Sequence, residues 1–552
     1  MDRGAVSTAG EMHRFQTPAL CGLVAAILLL QLELVFNRPI NWDEIYHLTQ
    51  AHAFAQGRLT ETLQVLYARA FFWVPMLPID AIDQIRVVRL FMLVCELFTV
   101  FAIYSMARYF TAFLPAVFAA LAYLTAGYVF QHGFSYRADP MAAAMLMGAL
   151  WILLVSKLDM KAIIAAGLLI GLAVLTTIKV VFYAPAFAGI AWLRWREAVL
   201  PRQMLIRLFA LAATSVIWTA VFIGLTILSV PDGGVGSAES TVSSSATMVF
   251  HEGLFPRWPY ILGLIATAPV MALLVLSAPF EIARARLPST RWIALSGMLL
   301  PLASIILYRN SFPYFYVFIL PPVMVVAAFA ARALLTKVRP GFLAIALLAN
   351  AAIISFATPR EVLPTQRQVI AAAHEIFPQP VAYFDFPGMI VDYPKANFFM
   401  TTWGMKKYWQ GMFPTFREVM SRETVPLLVL NQETFERNQM GPEPAWELLP
   451  EDAMALREGF IPHWGPLWVA GRTFAAGEQT TEFEIFAPGT YTLEGASARI
   501  DAQVYSPRQT IVLERGSHDF ERIGNGEVTL RWGEHLLRPA EPFGGGPVFK
   551  DF

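Results

Sequence analysis

Long apolar runs recur along this 552-residue chain up to about residue 357. A helix of roughly 20 apolar residues is long enough to cross the hydrocarbon core of a bilayer. Charged residues make up only 15% of the chain, against about 25% in ordinary soluble proteins. The sequence therefore predicts a mainly α-helical, polytopic membrane protein. We expect about eleven transmembrane helices, near residues 18–36, 87–108, 112–131, 139–156, 161–174, 178–194, 206–229, 258–280, 292–308, 313–332 and 340–357.

The lysine and arginine residues between these predicted spans indicate how the chain is oriented. Most of them fall in four alternate connections, which the positive-inside rule assigns to the cytoplasm: residues 157–161, 194–207, 281–291 and 332–339. We therefore expect a cytoplasmic N-terminus and a periplasmic C-terminus, in the inner (cytoplasmic) membrane of a bacterium. The first apolar run resembles a signal peptide, but it lacks a small-residue cleavage pattern and is interpreted as a retained span.

The periodicity of the sequence changes after residue 357. Residues 366–377 are typical of an amphipathic helix, and 381–384 and 425–430 are typical of buried strands. From about Trp468, short alternating runs separated by turn residues predict a β-sandwich. We therefore divide the chain into a transmembrane catalytic domain (1–357), a periplasmic α/β subdomain (358–460) and a periplasmic β-rich subdomain (461–552). Neither cysteine lies in the two periplasmic parts, so no disulfide framework is expected there.

An acidic pair, Asp43 and Glu44, follows directly on the first apolar run. A charge beside hydrocarbon must be solvated, paired or used. The residues that follow, Tyr46 to Leu66, have apolar side chains among polar ones, which predicts interfacial helices in the first periplasmic loop. Such helices would hold Asp43 at the water boundary.

With these features the sequence resembles the GT-C superfamily, integral membrane glycosyltransferases that use lipid-phosphate-linked sugars. The resemblance is nearest to the protein O-mannosyltransferase and lipid A aminoarabinose transferase branch, and it covers roughly residues 15–335. It rests on the order and common sidedness of several weak motifs. These motifs are the acidic pair, Ala55 to Leu59, Arg86 with Arg89, Tyr136 to Asp139, Thr177 to Lys179, and Arg309 with Tyr314 before Pro321-Pro322.

Transfer from a polyprenyl phosphate needs a base for the acceptor hydroxyl and cations for the departing phosphate. Asp43 is the candidate base, because it would lie within hydrogen-bond reach of an acceptor in a water-facing cavity. The resemblance gives this role to the first acid of the pair, which leaves Glu44 as a helper or a structural partner. It also implies a second acid nearby, here Asp139, which would orient the acceptor or substitute as base. Inversion at the anomeric carbon is implied as well.

The remaining candidates would bind the substrates. Arginine holds phosphate oxygens bidentately and lysine acts as a point charge, so both suit the donor phosphate. The phosphate-binding candidates are Arg309, Lys179, Arg137 and Arg86, and the other substrate-binding candidates are Tyr46, Tyr308 and Tyr314.

Each of these candidates has a purely structural alternative. Asp43 would also suit the N-cap of the helix that follows it. Arg137 and Asp139 would pair at the end of a span, and Lys179 would reach the headgroups from its helix. Arg86 would anchor the second span, and the aromatic residues would form an interfacial belt.

The sequence does not require a cofactor or a catalytic metal. His47 and His52, with His251-Glu252 in the Gly- and Ser-rich loop Pro231 to Gly253, leave a structural divalent metal open. Composition of this kind favours a mobile connection, and this one would suit a lid over a site.

The expected function is transfer of a monosaccharide, hexosyl or pentosyl, from a polyprenyl-phosphate donor to a glycan, lipid or protein acceptor at the periplasmic face. Membrane lipids are expected partners and nucleic acid is not. The alternatives are a transporter or flippase of a lipid-linked glycan, and a non-catalytic scaffold that presents a carbohydrate-binding module.

Overall fold

The computed structural model describes residues 4–59, 66–229, 253–476 and 479–550, with side chains from residue 18 onward. The chain forms two compact units. We call Met1–Arg38 with Ala53–Pro359 the transmembrane unit, and Pro39–His52 with Arg360–Asp551 the C-terminal unit. The C-terminal unit therefore includes a short segment from near the start of the chain, which carries the acidic pair.

The transmembrane unit is a bundle of apolar helices. Within the described residues, seven are long and apolar enough to cross a membrane: Pro18–Asn37, Ala81–Phe110, Ala138–Val155, Pro201–Leu228, Ser289–Ile306, Phe315–Leu335 and Pro340–Ala357. The pair Trp258–Thr267 and Pro269–Arg284 bends by 108° where they meet and would add an eighth as a broken span. The chain is a multi-pass membrane protein, as the sequence predicts.

The predicted count of eleven spans is not confirmed, because several apolar runs form shorter or interrupted helices. Phe113–Leu124 ends where Ala126 adopts an extended backbone, and a separate helix, Gly127–His132, follows it. Met160–Thr176 has 17 residues. The run predicted at 178–194 begins as the 3₁₀ helix Ile178–Tyr183 and continues as the α-helix Ala184–Arg196.

The helix Phe315–Leu335 lies at the centre of the bundle, and nearly all of it is buried. It contains Pro321 and Pro322, which have no amide N–H to donate to the carbonyls four residues earlier. Those carbonyls, of Val317 and Phe318, accept hydrogen bonds from the hydroxyls of Tyr123 (2.8 Å) and Tyr183 (2.6 Å). Two tyrosines from neighbouring elements thus satisfy the backbone groups that the prolines leave open, as a bilayer interior requires.

The C-terminal unit opens with the helix Trp42–Ala55, which follows the first span. Gly57, with φ +69°, lies just beyond the end of this helix. The predicted interfacial segment, Tyr46 to Leu66, is therefore helical up to Ala55, and residues 60–65 lie outside the described part. The transmembrane unit also contains short helices, the α-helix Leu66–Ala70 and the 3₁₀ helix Val74–Met76. The span Ser289–Ile306 consists of the α-helix Ser289–Leu299 and the 3₁₀ helix Leu300–Ile306.

The C-terminal unit combines helices with two sheets. Its further helices are Val362–Ile376, Thr402–Trp409, Phe416–Arg422, Glu433–Met440 and Pro450–Gly459. The strands are β1 (Tyr383–Phe384), β2 (Leu427–Val429), β3 (Phe460–Trp464), β4 (Leu467–Phe474), β5 (Thr480–Ile485), β6 (Gly489–Gly495), β7 (Ala498–Ile500), β8 (Gln503–Tyr505), β9 (Thr510–Leu513), β10 (Gly516–Arg522) and β11 (Val528–Trp532).

The larger sheet has the order β1-β2-β4-β11-β6-β9, with β3 on β4, and the smaller has the order β5-β10-β7-β8. Among the strands that the structure describes, only β1 and β2 pair in parallel, and all the other pairs are antiparallel. Phe474 on β4 stacks on Phe520 on β10 with 3.7 Å between ring centroids, which packs the two sheets face to face. The predicted α/β and β-rich character is confirmed, and strands from both sides of residue 460 share one sheet.

Candidate active site

A buried group of charged residues lies in the transmembrane unit, where the helix Ala138–Val155 begins. Asp139 is in the first turn of that helix, where the helix dipole favours a negative charge. The Lys179 ammonium contacts the Asp139 carboxylate, and the Arg137 Nε lies 3.9 Å from it. The three side chains are at most 10% exposed. The structure therefore brings together three of the residues that the sequence predicts for the site.

An aromatic ring holds the two cations of this group. The Arg137 guanidinium lies 3.4 Å from the ring centroid of Tyr314, and the Lys179 ammonium lies 5.6 Å from the same centroid. Lys179 is fixed from its backbone as well, because its N–H donates to Thr177 Oγ1, the N-cap of the 3₁₀ helix Ile178–Tyr183. Two cations over one ring, with one carboxylate between them, make a preorganised environment for an anion.

Tyr308 extends this group along the central helix. Its ring lies 4.7 Å from that of Phe315, and the Lys179 ammonium lies 5.9 Å from the Phe315 ring. Arg309 is half-buried in the same turn, five residues before Tyr314. Tyr308 and Tyr314 thus join Arg137, Asp139 and Lys179, and Arg309 lies next to them in the chain.

Two residues near this group, Arg38 and His132, were not singled out by the sequence analysis, whereas Arg89 was named there together with Arg86. Arg38 Nη2 lies 3.2 Å from His132 Nε2, and Arg38 Nη1 donates to Ser135 Oγ at 3.4 Å. The buried Arg89 donates to the carbonyls of Arg38 (2.9 Å) and Val35 (3.2 Å), so it holds the end of the first helix. The signal available in the sequence was a histidine close to the Tyr136–Asp139 motif, but spacing alone does not pair it with Arg38.

Arg86, predicted to bind the donor phosphate, uses its guanidinium within the bundle. Its Nε donates to the Phe36 carbonyl at 2.8 Å, and its Nη1 forms an ion pair with Asp83 at 2.7 Å. The bond to Phe36 ties the second span to the end of the first, which is the anchoring role that the sequence left open, and the ion pair with Asp83 lies within the second span. Phosphate binding by Arg86 stays a prediction.

The acidic pair lies in the C-terminal unit, at the start of the helix Trp42–Ala55. The Asp43 N–H donates to Asn41 Oδ1 at 3.0 Å, and the Asn41 N–H donates to Glu44 Oε2 at 3.1 Å. This reciprocal pair of bonds is a capping box with Asn41 as the N-cap. The idea that Asp43 caps the helix is therefore wrong, since Asn41 does so. Glu44 is buried in the cap, and Asp43 is half-buried in the first turn.

Tyr46, the third substrate-binding candidate, lies one turn after Asp43. Its ring stacks on Phe399 of the same unit, with 4.4 Å between centroids and 17° between planes. This contact fixes the orientation of the ring. Binding of substrate by Tyr46 stays a prediction.

The structure gives no support to a metal site in the part of the chain that it covers. No group of three or more His, Cys, Asp or Glu side chains there is placed to hold a metal ion. The loop Pro231 to Gly253, apart from its last residue, and with it His251-Glu252, lies outside the described residues. The proposed lid and the structural metal that involves this loop stay predictions.

Comparisons with known proteins identify the fold. No family model matches the sequence, and no curated protein matches it. ArnT from Cupriavidus metallidurans bound to undecaprenyl phosphate is similar in structure, with TM-score 0.56, 13% identity, and coverage of 82% of this chain and 98% of that chain. Its apo state gives TM-score 0.53 with the same identity and coverage.

A second solved structure is similar over most of its length. It is an oligosaccharyltransferase from Archaeoglobus fulgidus in complex with Zn and sulfate, with TM-score 0.48 and 10% identity, covering 91% of this chain and 94% of that chain. At these identities a likeness establishes the fold alone, and the two ArnT structures, with TM-scores above 0.5, establish it here. The chain is a multi-pass membrane protein with the GT-C fold that ArnT has.

Proposed function

We propose that this protein transfers a monosaccharide from a polyprenyl-phosphate-linked donor to the hydroxyl group of an acceptor. One observation carries the proposal: two buried cations, Arg137 and Lys179, lie over Tyr314 in the transmembrane unit. The fold is that of ArnT, which has been solved bound to undecaprenyl phosphate. A lipid phosphate is the kind of anion that such a cationic group suits.

The reaction is a direct in-line displacement. The acceptor oxygen forms a bond to the anomeric carbon while the bond from that carbon to the phosphate oxygen breaks. The electron pair of the broken bond leaves with the polyprenyl phosphate, and the configuration at the anomeric carbon inverts. Asp43 receives the hydroxyl proton. The capping box at the start of its helix is formed by Asn41 and Glu44.

The cations act on the leaving group. Lys179 and Arg137 stabilise the charge that develops on the phosphate, and preorganised charges of this kind are usually the largest catalytic contribution. Asp139 contacts both cations and so holds them in place, because a buried charge is tolerated when it is paired. Asp139 therefore orients cations in this scheme, and Asp43 is the base. Arg309 supplies a further positive charge from its half-buried turn.

The site is proposed to face the periplasm of a bacterium, with the protein in the inner membrane and its N-terminus in the cytoplasm. The positive-inside rule supports this orientation. The sugar is a hexose or a pentose, and the acceptor is a glycan, a lipid or a protein.

A second candidate function is transport of a lipid-linked glycan. One observation favours it: the helices Trp258–Thr267 and Pro269–Arg284 bend by 108° at their junction. Broken helices of this kind are common in transporters, where they line the substrate path. Transport and transfer differ in product, since only transfer releases free polyprenyl phosphate.

The test is turnover by the purified protein in nanodiscs. Undecaprenyl-phosphate monosaccharides are supplied with an envelope acceptor fraction, and release of undecaprenyl phosphate is followed. We expect release by the wild type, loss of at least about 100-fold in Asp43→Asn, and unchanged release in Asp519→Asn. Asp519 is the matched control, because it is an exposed aspartate on β10. Movement of intact donor across the bilayer without release would favour transport.

Binding of undecaprenyl phosphate is measured separately, so that the cations are tested apart from chemistry. Lys179→Met and Arg137→Gln are expected to weaken binding by about 10-fold or more, because each removes a charge-assisted contact. Arg196→Gln is the matched control. Like the tested cations, Arg196 lies over aromatic rings, those of Trp192 and Trp195, but it belongs to the helix Ala184–Arg196. Equal binding by all three variants would contradict the assignment of Lys179 and Arg137 to the phosphate.

A further inference from the structure

The segment that carries Asp43 is built into the C-terminal unit by contacts on both sides of that residue. Residues 39–52 belong to that unit, although nearly all the rest of it begins at Arg360. From the sequence, catalysis is assigned to the transmembrane domain, 1–357. The contacts that hold residues 39–52 indicate that the C-terminal unit positions one of the catalytic residues.

The first anchor is Gln366, in the helix Val362–Ile376. Its Oε1 accepts from the Ile40 N–H at 3.0 Å, and its Nε2 donates to the Ile40 carbonyl at 2.7 Å. The same Nε2 donates to the Val548 carbonyl at 3.0 Å. Gln366 is completely buried. A carboxamide is the side chain that both donates to and accepts from one residue's backbone, so Gln366 fixes the chain three residues before Asp43.

The second anchor is a turn that follows β1. The Asp385 carboxylate accepts from the N–H groups of Gly388 (2.8 Å) and Met389 (2.7 Å) and from Asn431 Nδ2 (3.0 Å). The turn directs the Gly388 carbonyl toward Thr49, whose hydroxyl lies within donor distance both of that carbonyl (2.9 Å) and of the Ile45 carbonyl in its own helix (3.0 Å). The Asp385 turn therefore holds the helix Trp42–Ala55 about one and a half turns after Asp43.

Glycine is required at the point of contact. Gly388 has φ +95°, a conformation that side chains with a Cβ rarely adopt. A Cβ there would lie 2.8 Å from Thr49 Oγ1. The helix therefore approaches the backbone of the turn more closely than any other residue type would allow.

The third anchor is aromatic. Phe386 lies edge-on to Trp42 with 5.5 Å between ring centroids, and its N–H donates to Asn431 Oδ1 at 2.9 Å. Asp385 and Asn431 follow the carboxyl ends of the parallel strands β1 and β2. Open α/β sheets commonly bind ligands at that edge. Here the chain's own segment, from Trp42 to Thr49, is held there.

We propose that Gln366, Asp385 and Thr49 are positioning residues for Asp43. Through them the C-terminal unit fixes the position of the base. This inference rests on the proposed function. Ile40 and Trp42 are held before Asp43 and Thr49 after it, so the helix start neither slides nor rotates without breaking one of these contacts. A displacement of about 1 Å at a reacting group costs on the order of 100-fold in rate.

The test compares two substitutions at Thr49 in the full-length protein. Thr49→Val removes the hydroxyl and keeps the shape, whereas Thr49→Ser keeps the hydroxyl. We expect kcat to fall by about 10-fold or more in Thr49→Val, with unchanged KM for the donor and unchanged binding of undecaprenyl phosphate. Thr49→Ser should retain most of the wild-type kcat. Thr529→Val is the matched control, because the Thr529 hydroxyl bonds Thr473 between β11 and β4.

A second variant and a second readout separate positioning from folding. Gln366→Met and Thr49→Val should both increase hydrogen exchange of the amides in residues 42–52, and Thr529→Val should not. Wild-type kcat in Thr49→Val, or unchanged exchange in both variants, would overturn the inference while the proposed function stands. If the wild type releases no undecaprenyl phosphate, the proposed function is overturned, and so is the inference that these residues position a catalytic base.

Discussion

The carboxylate of Glu96 occupies the space that a side chain on Gly133 would need. A Cβ at Gly133 would lie 2.1 Å from Glu96 Oε1, which is far inside van der Waals contact. Gln31 Nε2 donates to both carboxylate oxygens of Glu96 (3.0 and 2.9 Å) and, at 3.4 Å, to the Phe130 carbonyl. Two spans thereby hold the segment that leads from His132 to Arg137 and Asp139. Burying an ionisable residue inside a membrane span costs free energy, so we expect such a residue to have a definite structural or functional role.

We predict that Gly133→Ala destabilises the protein by about 1–3 kcal/mol, the usual cost of overpacking a buried site. The measurement is thermal unfolding of the purified protein in detergent. Gly224→Ala is the matched control, because no heavy atom outside its own stretch of helix lies within 4 Å of the Cβ position there. Combining Gly133→Ala with Glu96→Ala should recover part of the loss, and a double variant no more stable than Gly133→Ala alone would contradict the steric explanation.

The ion pair between Lys179 and Asp139 leads to a second prediction. Breaking a buried ion pair by removing one partner costs about 3–5 kcal/mol. When Lys179 is removed, Arg137, whose Nε lies 3.9 Å from Asp139, offsets part of the charge of the carboxylate. Asp139→Asn and Lys179→Met should each lower the unfolding temperature, and the double variant should lose less than the sum of the two. Additive losses would show that the two side chains do not depend on each other. The same double variant should still bind undecaprenyl phosphate poorly, because the lysine is absent.

The sequence predicted the parts of this structure that depend on local composition. The apolar runs gave most of the long helices, and the alternation after Trp468 gave the β-rich part. The apolar runs are interrupted at Ala126, directly before Gly127, and at Ala268, directly before Pro269. Both runs were predicted as continuous spans, because hydropathy reports how apolar a segment is and does not report where its backbone turns.

The candidate site was predicted where residue type alone carries the chemistry, as for Arg137, Asp139 and Lys179. Contacts between distant residues were not predicted, because no spacing encodes them. Gln366 lies 326 residues from Ile40, and the bonds between them are visible only in the folded chain. The N-cap shows a local failure: Asn41, Asp43 and Glu44 all favour helix starts, and only the geometry identifies which one caps.

His374 provides a prediction about pH. Its Nε2 lies 3.0 Å from Asp392 Oδ2, and this hydrogen bond raises the pKa of His374 above its usual 6.5. A raised pKa in the folded state stabilises the protein fully below the unfolded pKa, and the contribution is lost as the pH rises through the folded pKa. The stability difference between wild type and His374→Gln should therefore be largest near pH 6 and shrink toward pH 8.

Unfolding temperatures of both proteins from pH 5.5 to pH 8.5 provide the measurement, and the effect should be modest because both side chains are more than a third exposed. The exposed His535→Gln is the control. A difference that grows with pH would show that the ion pair with Asp392 does not stabilise the folded state.

The hydroxyls of Tyr123 and Tyr183 donate to carbonyls of the helix Phe315–Leu335, and their contribution to stability can be tested by combining substitutions. Tyr123→Phe and Tyr183→Phe each remove the hydroxyl that donates to a carbonyl left open by proline. An unsatisfied buried carbonyl costs about 1–3 kcal/mol, so each variant should unfold at a lower temperature. Pro321→Ala restores an N–H that can donate to the Val317 carbonyl four residues earlier. In the Pro321→Ala background, Tyr123→Phe should therefore cost clearly less than in the wild type, whereas Tyr183→Phe, which serves Phe318, should cost the same in both. Equal costs for Tyr123→Phe in the two backgrounds would mean that its hydroxyl does not compensate for the proline.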